Sequence, residues 1–247
     1  MSDIGYISDW SPVPTSRYEQ AQKKEKEYWS LKDGALLTLH AQNYFYAGYY
    51  EWMKHRDLLN PFCVRPSRPH NFQIPGDAME GKAILDIGCV PISPAISLVH
   101  CAKVHVVDPL VDFYKEIQPF GWEFFTSVSS AGAEQLPFDD HSFNFVHCWN
   151  VLDHTQNADK VLGEIVRVLI PRGQFLLGCD LRDERCGGIA HPYKWSIDTF
   201  EARIFQHFEP VMTVTFIDEN NRPASREQCQ GKIPRWVCRL QKKPEVS

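Results

Sequence analysis

The spacing of apolar and polar residues divides the chain into three stretches. From 16 to 60 apolar and aromatic residues are dense. In "SRYEQAQKKEKEYWS", Ser16 can act as an N-cap for the good helix formers that follow, and "LLTLHAQNYFYAGYYEWMKHRDLL" carries too many aromatics to stay in water. This stretch reads as a helical cover docked on a main domain, with Tyr18, Tyr28 or Trp29 able to close over a ligand. From 61 to 80, "PFCVRPSRPHNFQIPGDAME" is rich in proline and reads as irregular connecting chain. Beyond 81 short apolar runs alternate with helical spacing: strands at 83–87, 103–107, 123–127, 143–148 and 174–179, and helices at about 93–101, 110–118 and 157–169.

Such alternation predicts an α/β domain with a mostly parallel, doubly wound sheet covered by helices on both faces. A helix at 197–206 then precedes two β-rich runs, "VMTVTFID" and "RWVCRL", which can form an antiparallel edge. The chain thus divides into a cover and linker over 1–80 and a catalytic-type domain over 81–247.

Composition narrows the function. A net charge of −5 gives no electrostatic reason to expect a nucleic-acid backbone as the main partner. No apolar run approaches the roughly 20 residues of a membrane span, and the start "MSDIGYISDW" lacks a basic region followed by an apolar one. The eight cysteines form no CxxC pair and no zinc-type cluster with histidine. The expectation is a cytoplasmic protein with buried thiols and no metal.

Chemistry is expected at the first strand-to-helix turn, because ligands of open α/β sheets lie beyond the carboxyl ends of the strands where the order reverses. That turn is "DIGCVPISP", with Asp86 and Gly88 closing the strand and Ser93–Pro94 suited to start a helix. Asp108 ends the next strand 20 positions after Gly88, the interval at which a carboxylate reaches the hydroxyls of a ribose. Dehydrogenases and adenosyl-cofactor enzymes share these two features.

The stretch "GAEQLPFDDHSFNFVHCWNVLDHTQN" separates the two. Through Ala133, Glu134, Leu136, Pro137, Phe138, Asp140, Ser142 and Phe143, and onward through "EIVRVLIPRGQFLLGCD", it resembles the class I S-adenosylmethionine-dependent methyltransferases of the small-molecule, type 11-like group. The resemblance spans about 81–180 and implies a Rossmann-like, seven-stranded sheet. It implies S-adenosylmethionine as cofactor, with S-adenosylhomocysteine as product. Asp86, Gly88 and Cys89 then belong to the turn beside the methionine part, and Asp108, Pro109 and Leu110 to the ribose and adenine. Ala133 and Glu134 match the loop at the adenine edge, and Cys148 and Trp149 the end of the fourth strand. The run "VVDPLVDFY", with Tyr114, is similar to an Asp-Pro-Leu subgroup that modifies sugars and glycans.

Where the family has its second and third glycines this chain has Val90 and Ile92, and a side chain at Val90 can crowd the methionine part. Asn144 replaces an aspartate but still hydrogen-bonds, and Gly132 stands where relatives carry an acidic residue. Two readings stay open: an active enzyme methylating an oxygen or nitrogen of a small molecule or glycan, and a non-catalytic relative serving as a binding or scaffold subunit. For a hydroxyl acceptor a histidine base fits. His191, in "CGGIAHPYKWSID", follows the fifth strand, where acceptor contacts are expected, with Tyr193, Lys194 and Trp195 as further candidates for the wall; the alternative reading is a loop anchored by Pro192 and Trp195. His154 is a second candidate base, or else caps the turn behind the fourth strand.

Overall fold

A computed structural model of the chain describes residues 6–31, 79–89, 102–117, 121–181, 189–211, 215–217 and 235–244, together with Ser93, Ala95, Val99, Pro223, Ala224 and Arg226. The strands β1 (Ala83–Ile87), β2 (Lys103–Val107), β3 (Ser127–Ser129), β4 (Phe143–Trp149) and β5 (Leu169–Asp180) run parallel in the order β3-β2-β1-β4-β5. β9 (Arg235–Lys242) lies antiparallel to β5. Its far side is shared by β6 (Phe208–Pro210) at one end and β7 (Thr215–Ile217) at the other. β6 and β7 thus act as one interrupted strand, and the sheet is seven strands wide, with the two-residue β8 (Pro223–Ala224) beyond β7. The expected antiparallel edge is present, formed by the second of the two β-rich runs and part of the first.

Both faces of the sheet are dry, as the near-continuous apolar runs require. Side chains alternate across it. Leu85, Ile87, Val146, Cys148, Phe175 and Leu177 pack on one face, and Ile84, Val104, Val106, Phe145 and Leu176 on the other. The first face is covered by α3 (Ala158–Val168), whose Ala158, Val161, Leu162, Ile165 and Val168 form a single buried stripe, and by α4 (Ile197–His207). Each helix starts on a side-chain cap: Asn157 accepts from the Lys160 N–H and Ser196 from the Thr199 N–H. α2 (Val111–Ile117) covers the second face through Val111 and Tyr114.

Two boundaries differ from expectation. The third strand is Ser127–Ser129 rather than 123–127, because Trp122–Phe124 forms a 3-10 turn that buries Trp122 in the core. β5 begins at Leu169 rather than 174: its pairing with β4 shifts register after Leu169, and Arg172, at φ 62°, makes the turn within it. Most of the expected helix 93–101 lies outside the described residues, as does 32–78 of the cover and linker.

The described part of the cover is α1 (Thr15–Leu31) and the strap before it. The strap is stitched to the segment after β5. The Ile7 N–H donates to Pro192 O at 3.0 Å and the Lys194 N–H to Ile7 O at 2.9 Å. Trp10 stacks on Trp195 with ring centroids 4.8 Å apart. Further on, the Val13 N–H donates to Gln156 O at 2.7 Å.

The "LPFDD" stretch is held by one side chain. Arg167, on α3, donates to Phe138 O at 2.7 Å, to Leu136 O at 3.1 Å, to Asp140 at 2.9 Å and to Glu164 at 2.8 Å. Glu164 in turn accepts the Leu136 N–H at 2.7 Å. Only a planar guanidinium spans this set. Asp140 is largely exposed, so the ion pair itself adds little; the two carbonyl bonds carry the clamp. Arg167→Ala is expected to destabilise the fold by about 2 kcal/mol, and Arg167→Lys to recover less than half of that. Urea unfolding of the three proteins checks both figures.

Candidate functional site

A cavity of about 480 Å³ opens at the carboxyl ends of β1, β2 and β4, where the strand order reverses on either side of β1. Its size is that of a small-molecule site. Gly88, Asp108, Pro109, Leu110, Ala133, Glu134 and Trp149 line it, and so do both candidate bases, His154 and His191. The roof is α1, through Tyr18, Tyr28 and Trp29. All three aromatics picked out in the cover therefore face the cavity.

The floor rests on Gly88. At φ 75° it occupies the left-handed region, and a Cβ there would lie 2.1 Å from Val151 Cγ2. Its N–H donates to Val107 O at 2.9 Å, which fixes it beside the end of β2. There the Asp108 carboxylate caps its own turn, accepting the Leu110 N–H at 2.8 Å. Burial is the main reason why the Tyr18 and Tyr114 hydroxyls are pushed up beyond the ordinary phenol range, with the negative charges of Glu134 and Asp108 adding for Tyr18 and that of Asp108 for Tyr114.

Three of the expected cofactor residues point elsewhere. The buried Asp86 carboxylate is engaged by His147 Nδ1 at 2.5 Å and by the Ser93 hydroxyl, so it joins β1, β4 and the chain after the first turn. Ser93 Oγ also accepts the Ala95 N–H, the cap expected of it. Cys89 and Cys148 are core thiols on opposite faces of the sheet, and burial raises both. Strand alternation explains Cys148: its neighbours His147 and Trp149 face the cavity, so it cannot. Glu134 lines the cavity, but its Oε1 accepts the backbone N–H groups of Gln156 and Asn157 at 2.7 and 3.1 Å. Asn144 does hydrogen-bond, accepting the Ala83 N–H at 3.0 Å. Val90 and Ile92 lie outside the described residues.

In the segment after β5 the anchoring reading holds over the pocket-wall reading. Tyr193, Lys194 and Trp195 do not line the cavity. Tyr193 and Trp195 are buried and hold the strap: Trp195 Nε1 donates to Asp9 O at 3.1 Å, and the Tyr193 hydroxyl lies 3.2 Å from Ser11 O. Their anchoring leaves Ala190 and His191 on the cavity wall.

Asp153 organises the histidines and was not singled out from sequence. Fully buried in a 3-10 turn after β4, it accepts from His191 Nδ1 at 2.7 Å, and His154 Nε2 stands 3.9 Å from the same oxygen. The two imidazoles meet edge to face with centroids 4.1 Å apart. Burial alone would raise the Asp153 carboxyl, but His154 and the hydrogen bond from His191 outweigh it, and the carboxyl lies below its ordinary 3.8. An ionised carboxylate only accepts, so His191 donates to Asp153 from Nδ1.

The donor atoms of Asp153, His154 and His191 lie within 4.8 Å of one another, the one such group among the described residues that could hold a metal ion. Two ligands about 2.1 Å from one ion stand about 3.4 Å apart at tetrahedral angles. The 2.7 Å contact is the length of a hydrogen bond.

The cavity's donors and acceptors suit S-adenosylmethionine. Asp108 places a carboxylate on the cavity wall. Asn150 Oδ1, buried with no hydrogen-bond partner among the described residues, is an acceptor for an ammonium or hydroxyl group. Among the described residues no helix is long and apolar enough to cross a membrane.

Residues 85–177 match a family described as a methyltransferase domain. Among curated proteins, an O-methyltransferase (rstn1) of Aspergillus nomiae is 25% identical over 158 residues, covering 62% of this chain and 69% of its own length. A sterol 24-C-methyltransferase of Yarrowia lipolytica is 24% identical over 192 residues, 69% of this chain but only 47% of its own. The fold is similar to that of the Haemonchus contortus phosphoethanolamine N-methyltransferase 2, solved with phosphomonomethylethanolamine and S-adenosylhomocysteine: TM-score 0.51, 17% identity, covering 68% of this chain and 50% of that one. With the matched stretch running from β1 to β5 and the cavity at its switch point, residues 85–177 form a methyltransferase domain similar to the class I S-adenosylmethionine-dependent methyltransferases.

Proposed function

We propose that the chain methylates a hydroxyl oxygen of a small molecule, with S-adenosylmethionine as donor and His191 as the base. The observation that carries this reading is the Asp153–His191 hydrogen bond on the wall of the same cavity that Gly88 and Asp108 line. A nitrogen acceptor that is already nucleophilic needs no such pair.

The residues that would hold the cofactor are Gly88, through its backbone, Asp108 with Pro109 and Leu110 at the ribose and adenine, Ala133 beside the adenine, and Asn150 at the methionine end. When bound, S-adenosylmethionine supplies a methyl carbon on a positively charged sulfur, an electrophile that needs no activation by the protein. The protein's part is alignment, water exclusion and proton removal. α1 roofs the cavity. Asp153 holds the His191 ring in one tautomer and stabilises it once protonated, and Nε2 takes the proton of the acceptor hydroxyl. His154 packs against the His191 ring and limits its rotation.

Calorimetric titration with S-adenosylhomocysteine tests the cofactor half. Asp108→Ala is expected to lose roughly 10- to 100-fold in affinity, about 1.4–2.8 kcal/mol. Gly88→Ala should lose at least as much, because its Cβ meets Val151 and its φ stays positive. A folded wild-type protein that does not bind the cofactor would point instead to a non-catalytic, partner-binding relative.

The base half predicts that His191→Gln and Asp153→Asn lower kcat by roughly 100- to 10,000-fold while cofactor affinity changes little. The pH dependence of stability carries a second signature. A carboxyl lowered by folding stabilises the protein above its unfolded value, and that contribution disappears as pH falls through the lowered folded value. Acid unfolding of the wild type should therefore show a loss that sets in as pH approaches 3.8 and continues below it, which Asp153→Asn lacks, read by circular dichroism across an acid titration.

A further inference from the structure

Two histidines of the cavity wall converge on one carboxylate oxygen, and that arrangement has a second use. We propose that Asp153, His154 and His191 form a site for a divalent transition-metal ion such as zinc, and that the bound ion takes the place of the proton between His191 and Asp153. The site stands independently of the methyl-transfer reading; its effect on the base rests on that reading.

The donor set makes the first argument. Zinc, cobalt and nickel take imidazole nitrogen readily, while magnesium and calcium prefer oxygen throughout. Asp153 is fully buried with its carboxyl held below the ordinary value, so it brings a negative charge into the wall, and the Cys179 thiol stands 3.9 Å from its Oδ1. The opposite oxygen, Oδ2, faces both imidazoles.

Geometry makes the second. Asp153 Oδ2 lies 2.7 Å from His191 Nδ1 and 3.9 Å from His154 Nε2. These distances bracket the roughly 3.4 Å between two ligands of a tetrahedral ion. All three donor atoms lie within 4.8 Å of one another, so ring rotations that move the nitrogens by roughly 1 Å seat the ion. His154 has room for this: its side chain is 23% exposed and lines the cavity. With both histidines on the wall, the remaining ligand position and the ion's path in are supplied by the cavity.

Other charged groups on the same wall are committed to neighbours. Lys24 pairs with Glu27 and Arg235 with Asp180, each at 2.8 Å. Glu25 accepts from Trp29 Nε1 at 2.8 Å, Glu134 accepts the Gln156 and Asn157 amides, and Asp108 accepts the Leu110 N–H. The cations therefore bring compensated charge to the wall, and the other carboxylates compete poorly for the ion.

The ion and the base exclude each other. A neutral imidazole bound to a metal through Nδ1 carries its proton on Nε2. On binding, the His191 proton thus moves from Nδ1 to Nε2 with no net release. The base reading needs a lone pair at Nε2, so the ion-bound ring takes no proton from an acceptor hydroxyl.

The test uses the full chain and the metal ions alone. Calorimetry is expected to show zinc binding at roughly micromolar affinity, undisturbed by magnesium or calcium at about 1,000-fold excess. Cobalt(II) in its place should give visible absorption without a thiolate charge-transfer band, which separates this site from the cysteines. His154→Ala should weaken zinc at least about 10-fold and Asp153→Asn about 100-fold, while His207→Ala, at the end of α4, leaves it unchanged. Should the buried Asp153→Asn fail to fold, His154→Ala, at the cavity edge, still decides. Nitrogen-15 NMR of the histidine rings then locates the proton, on His191 Nδ1 without the ion and on Nε2 with it. Zinc binding that is absent or indifferent to His154→Ala, a thiolate band, or an Nδ1 proton that survives saturation with zinc overturns the site. If zinc binds as described but His191 already carries its proton on Nε2 without the ion, the site stands and the base reading falls.

Discussion

The meeting of Gly88 with Val151 is the contact on which the rest of the site depends. Two loops leave the ends of neighbouring parallel strands, β1 and β4, and must pass each other in the narrow gap at the switch point. They fit because residue 88 has no side chain and can take φ 75°. The Gly88 N–H is also bound to the end of β2, just before Asp108. Val151 leads straight into the turn that carries Asp153 and His154. One close approach therefore sets the Asp108 carboxylate on one side of the cavity and the buried Asp153 carboxylate, with its histidines, on the other. Nothing larger at position 88 would keep both.

Much of the charge near this contact serves the chain itself. A carboxylate buried in a domain this size needs partners, and here the partners come from other segments. Asp86 takes His147 from β4 and the hydroxyl of Ser93; Glu134 takes two amides at the start of α3; Glu164 and Arg167 hold the "LPFDD" stretch. Asp86 and Glu134, which look like ligand contacts in the motif, fasten segments of the chain to one another here. The thiols follow the same division, with Cys148 turned into the core while its neighbours His147 and Trp149 face the cavity.

This division explains what could be read from the sequence. The parallel core, the antiparallel edge, Gly88, Asp108 and the cavity at the switch point were legible, because each leaves a local signal: an apolar period, a glycine after a strand, an acid at the next strand end. His191 and His154 were legible as residue types at plausible places. Asp153 was not, because its partnership with His191 exists only through a contact spanning 38 positions. The roles of Tyr193 and Trp195 stay open in the sequence, between pocket wall and loop anchor, for a similar reason. An aromatic pair next to a candidate base suggests a pocket wall, and only the pairing of that segment with residues 7–11 reveals an anchor. The third strand moved because its aromatic run is satisfied equally well by a 3-10 turn that buries Trp122.

The anchor has a consequence for how the site is assembled. The strap that pairs with Pro192 and Lys194 runs on directly into α1, the roof. The Tyr193 hydroxyl lies 3.2 Å from Ser11 O and 3.1 Å from Gln156 O, and accepts the Ala158 N–H at 3.3 Å, so one side chain ties the strap, the loop after β4 and the start of α3. Burial pushes that hydroxyl up to about 12, which keeps its proton in place across the working range. The α1 roof and the segment that carries His191 thus share their fastenings. A base is useful to a sulfonium chemistry only where water is kept out, since a wet cavity weakens every electrostatic contact in it. By hanging both functions on the same few residues, the chain makes the placement of His191 and the closure of the cavity parts of one packing arrangement, with little room for one without the other.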